Sequence, residues 1–292
     1  TEVLQTIQLQ AETEGENLQQ STAMTKFSHD ILDVPFSRSV LSKALIQQQD
    51  VQRIDDALTQ VSGVYNQTNY GGGFWDNFSF RGFSTDPNIG AQIIRNGLSV
   101  NRGLSAPRDM VNIEVNLRTN SLEKYRVSFE HTAPISDAVA YRIAVAHEDN
   151  QSFRDHVQSE RWFFSPQLTW KISDSTQLDF DSEFTRQDGT FDRGVSSYQK
   201  QFVMDPKTFT GEPDDGDHIQ KDHFYQLRLA HQFNDDWKMN NALSVKDTQL
   251  KGFSSEPRRI QSDGRTLERQ RRYRDNKSDD ILFQTEVLGT IQ

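Results

Sequence analysis

Asp179, Asp181 and Glu183 recur at every second residue, so on an extended strand the three carboxylates share one face. Carboxylates paired in this way could serve as the acid and the base of glycoside hydrolysis, provided that an apolar pocket keeps one of them protonated. Nothing else in the segment supplies that pocket, and a hydrated lumen accounts for the same spacing. His147, His156, His218, His223 and His231 are metal ligands by type, but they are scattered without ligand spacing. His218 and His223 stand near Asp214, Asp215 and Asp217, an acidic loop that lacks the alternating ligands of a calcium-binding EF-hand. With no cysteine there is no disulfide framework, no thiolate metal site and no thiol nucleophile. We therefore expect no catalytic residues, no metal site and no intrinsic cofactor: a binding protein and not an enzyme.

The chain that must position these residues has 292 of them, with 42 acidic against 32 basic side chains and a formal net charge of −10. That balance, without a dominant basic stretch, argues against nucleic acid as a partner. The 19 Phe, 7 Tyr and 4 Trp are too many for a disordered acidic chain. No run of about 18 apolar residues exists, so a membrane-spanning helix is excluded. A transmembrane β-barrel is not, because its strands alternate and average out as hydrophilic. No leader precedes Thr1, so an exported protein is expected to stand here in mature form.

Up to about Pro107 the chain mixes short helical and turn signals. Val34 to Leu41 reads as a strand, and Ser42 as an N-cap for a helix over Lys43 to Gln48. Ile54, Ala57, Leu58 and Val61 fall on one helical face, with Asp55 and Asp56 in the first turn and Gly63 as a C-cap. Phe78 to Phe83 alternates like a strand, which places Arg81 inside it as a buried ion-pair partner. Asn96-Gly97, between two apolar stretches, signals a hairpin over Ile93 to Val100.

From about Val115 the alternation becomes strict. Tyr125, Val127 and Phe129 share one face; so do Trp162, Phe164, Leu168, Trp170 and Ile172; so do Tyr225, Leu227, Leu229 and Phe233. Each segment is about ten residues, enough to cross a bilayer when tilted. Short polar turns at Ser136-Asp137, Ser173 to Thr176 and Asn234 to Asp236 alternate with longer links at Asp149 to Ser159, Asp188 to Asp222 and Lys251 to Thr266. Outer-membrane barrels have this asymmetry, together with aromatic girdles of the kind that Trp162, Phe163, Phe164 and Trp170 would form. A soluble all-β binding or hydrolytic protein would also alternate and stays open at this point.

The stretch from Asp33 to Asp109 resembles the plug domain of TonB-dependent outer-membrane receptors, particularly the ferric-siderophore branch. The matching pieces are DVPFSRSVLSKALIQQQ from Asp33, RIDDALTQVSGV from Arg53, FWDNFSFRGF from Phe74 and IIRNGLSVNRG from Ile93, in the family's order and spacing. SFRDHVQSERWFFSPQLTW from Ser152, followed by Asp192-Arg193-Gly194-Val195, looks like the first strands of the same family's barrel. Gln5, Thr6, Ile7, Gln8 and Leu9 are similar to a TonB box, a peptide that binds its partner by strand addition.

The resemblance implies an α+β plug domain followed by antiparallel transmembrane β-barrel strands, about eight present of the family's twenty-two. Residues 1–32 would be the TonB-box-like segment and a linker, 33–114 the plug, and 115–292 the first barrel strands. The plug's last part looks absent, because Asn112-Ile113-Glu114 runs straight into Val115 to Arg118, which reads as a strand. Thr1 to Gln8 is nearly repeated at Thr285 to Gln292, for which no physical reason is apparent. By resemblance, a monomer in the outer membrane of a Gram-negative bacterium would bind a ferric siderophore, meet outer-membrane lipid and be driven by TonB. Haem or cobalamin would be the cargo in another branch. The outward plug loops supply Tyr70, Phe74, Trp75, Asn88, Arg102, Ser105 and Arg108 as ligand-binding residues, an aromatic and cationic mouth suited to an anionic chelate. Arg95 either joins that mouth or pairs internally with a carboxylate; Phe74 and Trp75 either touch ligand or pack the plug on the wall.

Overall fold

The computed structural model describes residues 41, 43–49, 51, 53–66, 74, 78–84, 94–96, 98, 99 and 125–289. The strand expected over Val34 to Leu41 lies outside them except for Leu41, which is in no strand; the Ser42 cap, the TonB-box-like residues and the strand expected at Val115 to Arg118 lie outside them altogether. So do Tyr70, Trp75, Asn88, Arg102, Ser105 and Arg108.

Two compact units divide at Val51 and Gln52. In the first, helix α1 (Lys43–Gln48) runs where its sequence places it and is followed by a turn in which the Val51 amide donates to the Ile46 carbonyl at 3.1 Å. The second unit begins with α2 (Ile54–Leu58), whose Ala57 is buried. Periodicity carried this helix to Val61, yet it stops at Leu58. There the Thr59 hydroxyl donates back to the Asp56 carbonyl at 2.6 Å, a local bond that competes with continued helix. Tight turns then lead through Gly63, at φ +80°, into β1 (Val64–Asn66).

Strands β2 (Phe78–Phe80) and β3 (Phe83–Ser84) complete a three-stranded antiparallel sheet with β1. Phe78 to Phe83 is thus a hairpin and not one strand. Arg81 and Gly82, at φ 49° and 82°, form a two-residue loop with both residues in the left-handed region, the geometry that matches strand twist. Arg81 is accordingly exposed at a turn instead of buried in a strand, and its amide donates to the Gly63 carbonyl at 2.6 Å. A Cβ at Gly82 would meet nothing within 4 Å, so Gly82→Ala should cost only the strain of holding an L side chain in the left-handed region, about 1 kcal/mol. Thermal unfolding of the variant checks this; an unchanged midpoint would mean that the loop adopts another turn. The hairpin signalled by Asn96-Gly97 forms β4 (Ile94–Arg95) and β5 (Leu98–Ser99), with Arg95 opposite Leu98.

The rest is one antiparallel sheet of seven strands: β6 (Tyr125–Ser136), β7 (Val139–Gln151), β8 (Gln158–Ser173), β9 (Thr176–Gly189), β12 (His218–Gln232), β13 (Trp237–Ile260) and β14 (Leu267–Gly289). Between β9 and β12 a long loop carries the small hairpin of β10 (Ser197–Tyr198) and β11 (Gln201–Phe202). The spatial order is β6-β7-β8-β9-β12-β13-β14, each strand beside its neighbour in sequence, with open edges at β6 and β14. Strand lengths of 12 to 24 residues exceed the ten expected. The link expected over Lys251 to Thr266 is mostly ladder: β13 and β14 stay paired to Ile260 and Leu267, with one register shift just after Pro257, a residue that has no N–H to donate.

The two faces of this sheet are opposite in kind. On one, Tyr141, Leu168, Phe180, Leu227, Leu243 and Phe283 form a single cross-strand row, each beside the next. Most of these rings and branches are solvent-exposed, from Phe180 at 37% to Phe283 at 66%. Further along the strands the same face ends in a charged row, Trp162, Arg186, Lys221, Gln249 and Lys277. The other face carries Arg126, Glu130, Arg142, Glu148, Arg161 and Asp181, most of them buried. A soluble sheet hides its apolar face and wets its charged one; here the order is reversed, as it must be for strands standing in lipid around a polar interior.

Candidate functional site

The charged inner face is where the β4–β5 hairpin docks. Arg95 Nη1 stands 2.7 Å from Glu183 Oε2 on β9, and its guanidinium carbon lies 4.7 Å above the Phe224 ring on β12. Leu98, 1% exposed, packs on the same Phe224. Asn96, at φ 48°, donates from Nδ2 to Gln226 Oε1 at 2.9 Å. Of the two alternatives open for Arg95, this structure shows the internal ion pair. The carboxylate row read from the sequence is divided among neighbours: Glu183 takes Arg95, Asp181 accepts from Arg228 at 3.1 Å, and Asp179 accepts from Thr169 at 2.8 Å. None sits in an apolar pocket.

Phe74 is likewise spoken for. It is 1% exposed and lies 6.3 Å from the Phe191 ring and 5.7 Å from that of His218, with Leu250 in the same cluster. Around this cluster the inner wall concentrates positive charge. Glu256 accepts from Arg274 and Ser254 and pairs with Arg193 at 2.9 Å, while Arg272 stands at 4.0 Å. The guanidiniums of Arg193 and Arg274 also lie over the Phe191 ring, at 5.4 and 4.5 Å. Burial alone would raise the Glu256 carboxyl, but Arg274 and Arg193 hold it below its ordinary value, so three guanidiniums surround one carboxylate. The sequence marked Arg193 only as part of a motif; Arg272 and Arg274 come from a strand whose outer rows had drawn attention and its inner ones not.

His218 lies three residues beyond the charged row, outside the apolar band. Burial lowers its imidazole to about 4, Arg274 adding to the effect while Glu256 and Asp215 oppose it. The unfolded histidine takes a proton near pH 6.5, whereas the folded one resists until about pH 4. This residue's stabilising contribution is therefore complete above pH 6.5 and is lost as pH falls from there to about 4. A His218→Gln variant should lose less thermal stability than the parent over that interval. Parallel losses in the two proteins would contradict the assignment.

The other histidines among the described residues make separate local contacts. His147 Nε2 meets Glu160 Oε1 at 3.1 Å beside the Trp162 ring, and His231 Nδ1 meets the Thr176 hydroxyl at 2.8 Å. Among the described residues no three His, Asp or Glu side chains are grouped to hold a metal ion.

A second tie joins the region of α2 to the wall. Arg53 Nη2 donates to Glu148 Oε1 at 2.6 Å, and Arg126 Nη1 to Glu148 Oε2 at 3.0 Å, with the Asn150 amide on the same carboxylate. Glu148 and Arg126 are 1% and 3% exposed. Sequence reasoning found neither, although Arg53 opens one of the matched segments and Glu148 sits on an inner-face position.

The family model described as TonB-dependent Receptor Plug Domain matches residues 30–125. The metal-pseudopaline receptor CntO of Pseudomonas aeruginosa is 29% identical over 312 residues, covering 95% of this chain and 44% of its own length. The ferrioxamine B receptor of Salmonella typhimurium is 22% identical over 272 residues, covering 77% of this chain and 39% of its own. In fold, the closed form of the ferric-catecholate import receptor Fiu from Escherichia coli K12 aligns at a TM-score of 0.75 with 18% identity, over 94% of this chain and 46% of that one. The chain thus spans less than half the length of these relatives. An α+β segment within the part matched by the plug model, docked by Arg95, Asn96 and Arg53 on the charged face of an open antiparallel sheet whose other face is apolar, makes residues 30–125 a match to the TonB-dependent receptor plug domain and the chain similar, in sequence and in fold, to the plug and part of the barrel of TonB-dependent outer-membrane receptors.

Proposed function

We propose that this chain is part of a receptor that binds a ferric siderophore at the external face and passes it into the periplasm. The observation that carries the reading is the reversed sheet: an apolar outer row at Leu168, Phe180, Leu227, Leu243 and Phe283, and a charged inner face occupied by the plug hairpin. Residues 33–114 act as the plug, 115–292 as barrel strands, and Gln5 to Leu9 as the peptide that a TonB-type partner captures by strand addition. Likeness to a metal-pseudopaline receptor and to a ferrioxamine B receptor supports a metal chelate as cargo.

The chelate's iron already has its ligands, so the protein needs rings and cations and no metal ligand of its own. Tyr70, Trp75, Asn88, Arg102, Ser105 and Arg108 supply these from the plug, Arg193 adds positive charge from the loop between β9 and β12, and Arg272 and Arg274 add it from the wall. Phe74 and Arg95 reach a ligand only by leaving their present partners, Phe191 and Glu183. The receptor is read as a monomer among outer-membrane lipids, with no enzymatic step.

Tryptophan fluorescence of the purified receptor in detergent, titrated with ferric hydroxamates, ferric catecholates, their iron-free forms, haem and cobalamin, tests the reading. Saturable quenching by an iron-loaded chelate is expected, weaker for its iron-free form. Quenching by haem or cobalamin alone, or by none of the panel, would overturn it.

A further inference from the structure

On the inner face, beneath Phe74, a stripe of polar side chains is buried without being hydrogen-bonded. His218, Gln220 and Gln226 on β12 and Thr248 on β13 are each at most 1% exposed. Both ring nitrogens of His218, both amide atoms of Gln220 and the Thr248 hydroxyl have no hydrogen-bond partner in the protein among the described residues. Gln226 Nε2 has none either, although its Oε1 accepts from Asn96. His218 and Gln220 are successive inner positions of β12, Thr248 faces Asp222 at the next one, and Gln226 lies two inner positions further along. The rings of Phe74 and Phe191 cover the start of the stripe, 5.7 and 4.7 Å from that of His218.

Nearer β6 the inner face is built differently. There Glu148 joins Arg126 and Arg53, Arg142 pairs with Glu130, and Arg228 with Asp181. A buried amide, hydroxyl or imidazole that leaves water and finds nothing in exchange costs more than a hydrogen bond returns, so a stripe of them demands a partner. Water suits all four residues, because it both donates and accepts and is retained where several polar groups converge. A contact made through water also separates easily, since each side keeps its hydration when the other leaves. We propose that ordered water occupies the inner face of β12 and β13 from His218 to Gln226, and that this water lets the plug part from the wall there. The water itself is independent of the cargo; its part in release rests on the transport reading above.

X-ray radiolysis of the full receptor in detergent, with the oxidised residues located by peptide mass, tests the proposal. Hydroxyl radicals formed from water held in the stripe attack the side chains beside it although bulk solvent does not reach them. Corrected for intrinsic reactivity, His218 and Leu250 should be oxidised about fivefold faster than Phe163, an equally secluded ring packed on Ala144 and Ala146. Gln220→Met and Thr248→Val together remove the polar groups at nearly constant volume. In that variant oxidation of His218 should fall to the Phe163 level, ferric-chelate binding should be unaltered, and uptake of iron-55 chelate by cells should slow about threefold. Equal rates at His218, Leu250 and Phe163 in the parent would overturn the proposal whether or not the variant folds. So would undiminished oxidation of His218 in the folded variant, and uptake as fast as the parent's would overturn the role in release. A parent that binds no ferric chelate would refute the transport reading, and the release step with it, while the oxidation rates still decide the water.

Discussion

Leu243→Arg should cost about 2–4 kcal/mol when the receptor is folded into lipid, because the side chain stands in the middle of the apolar outer row. Leu243 is 38% exposed to solvent and lies directly between Leu227 and Phe283. On a water-facing surface an arginine at that place would be nearly neutral, and its stem would cover neighbouring apolar area. In hydrocarbon it has no water, no carboxylate on its own face within the row and no short path to a headgroup. The control is Gln249→Arg, six residues along the same strand and face, in the charged row beside Lys221 and Lys277, where a cation should change stability by less than about 0.5 kcal/mol. Urea unfolding from phospholipid vesicles separates the two. Equal effects of the two substitutions would mean that this face does not stand in lipid.

What the sequence disclosed about this face follows from the physics of strands. A period of two is insensitive to length, so the faces of β6, β8, β12 and β14 were legible from Tyr125, Trp162, Tyr225 and Ile281 onward. The ends of the strands were not. Beyond Val245 the outer positions of β13 turn polar, at Asp247, Gln249 and Lys251, and a change of solvent reads like the start of a loop although the ladder continues to Ile260. The hairpin at Asn96 was legible because left-handed backbone there selects Asn-Gly. The one at Arg81 was missed because only Gly82 carries such a signal while Arg81 does not. The ties of Arg95, Arg53 and Arg193 join residues 88, 95 and 63 positions apart, and a single sequence holds no record of which carboxylate such an arginine will find. Charge on an inner strand face announces that partners exist and leaves them unspecified.

Glu148→Ala should be the most damaging single change on the inner face, at about 3–5 kcal/mol, because it strips two guanidiniums of one buried counter-charge. Arg126 is 3% exposed and has no water to turn to, whereas Arg53 at 18% can partly rehydrate. Arg53→Ala is therefore expected to cost less, about 1–2 kcal/mol, since Glu148 keeps Arg126 and Asn150. Thermal unfolding ranks the two, and amide exchange across 53–66 should quicken in both variants if this tie is what holds the α2 region to β7. A Glu148→Ala protein within about 1 kcal/mol of the parent would show that the carboxylate is dispensable. The pair also bears on how a plug can be firm and yet releasable. A buried ion pair is often no more stabilising than apolar side chains of equal volume, but it fixes one register and none beside it. Replacing Arg53, Arg126 and Glu148 together by leucine should thus leave stability similar or higher while removing the charge complementarity that positions the α2 region. If the proposed transport is right, that triple variant should bind ferric chelate normally and take it up more slowly, because an apolar contact that has come apart exposes surface to the wet interior, whereas separated charges are rehydrated there.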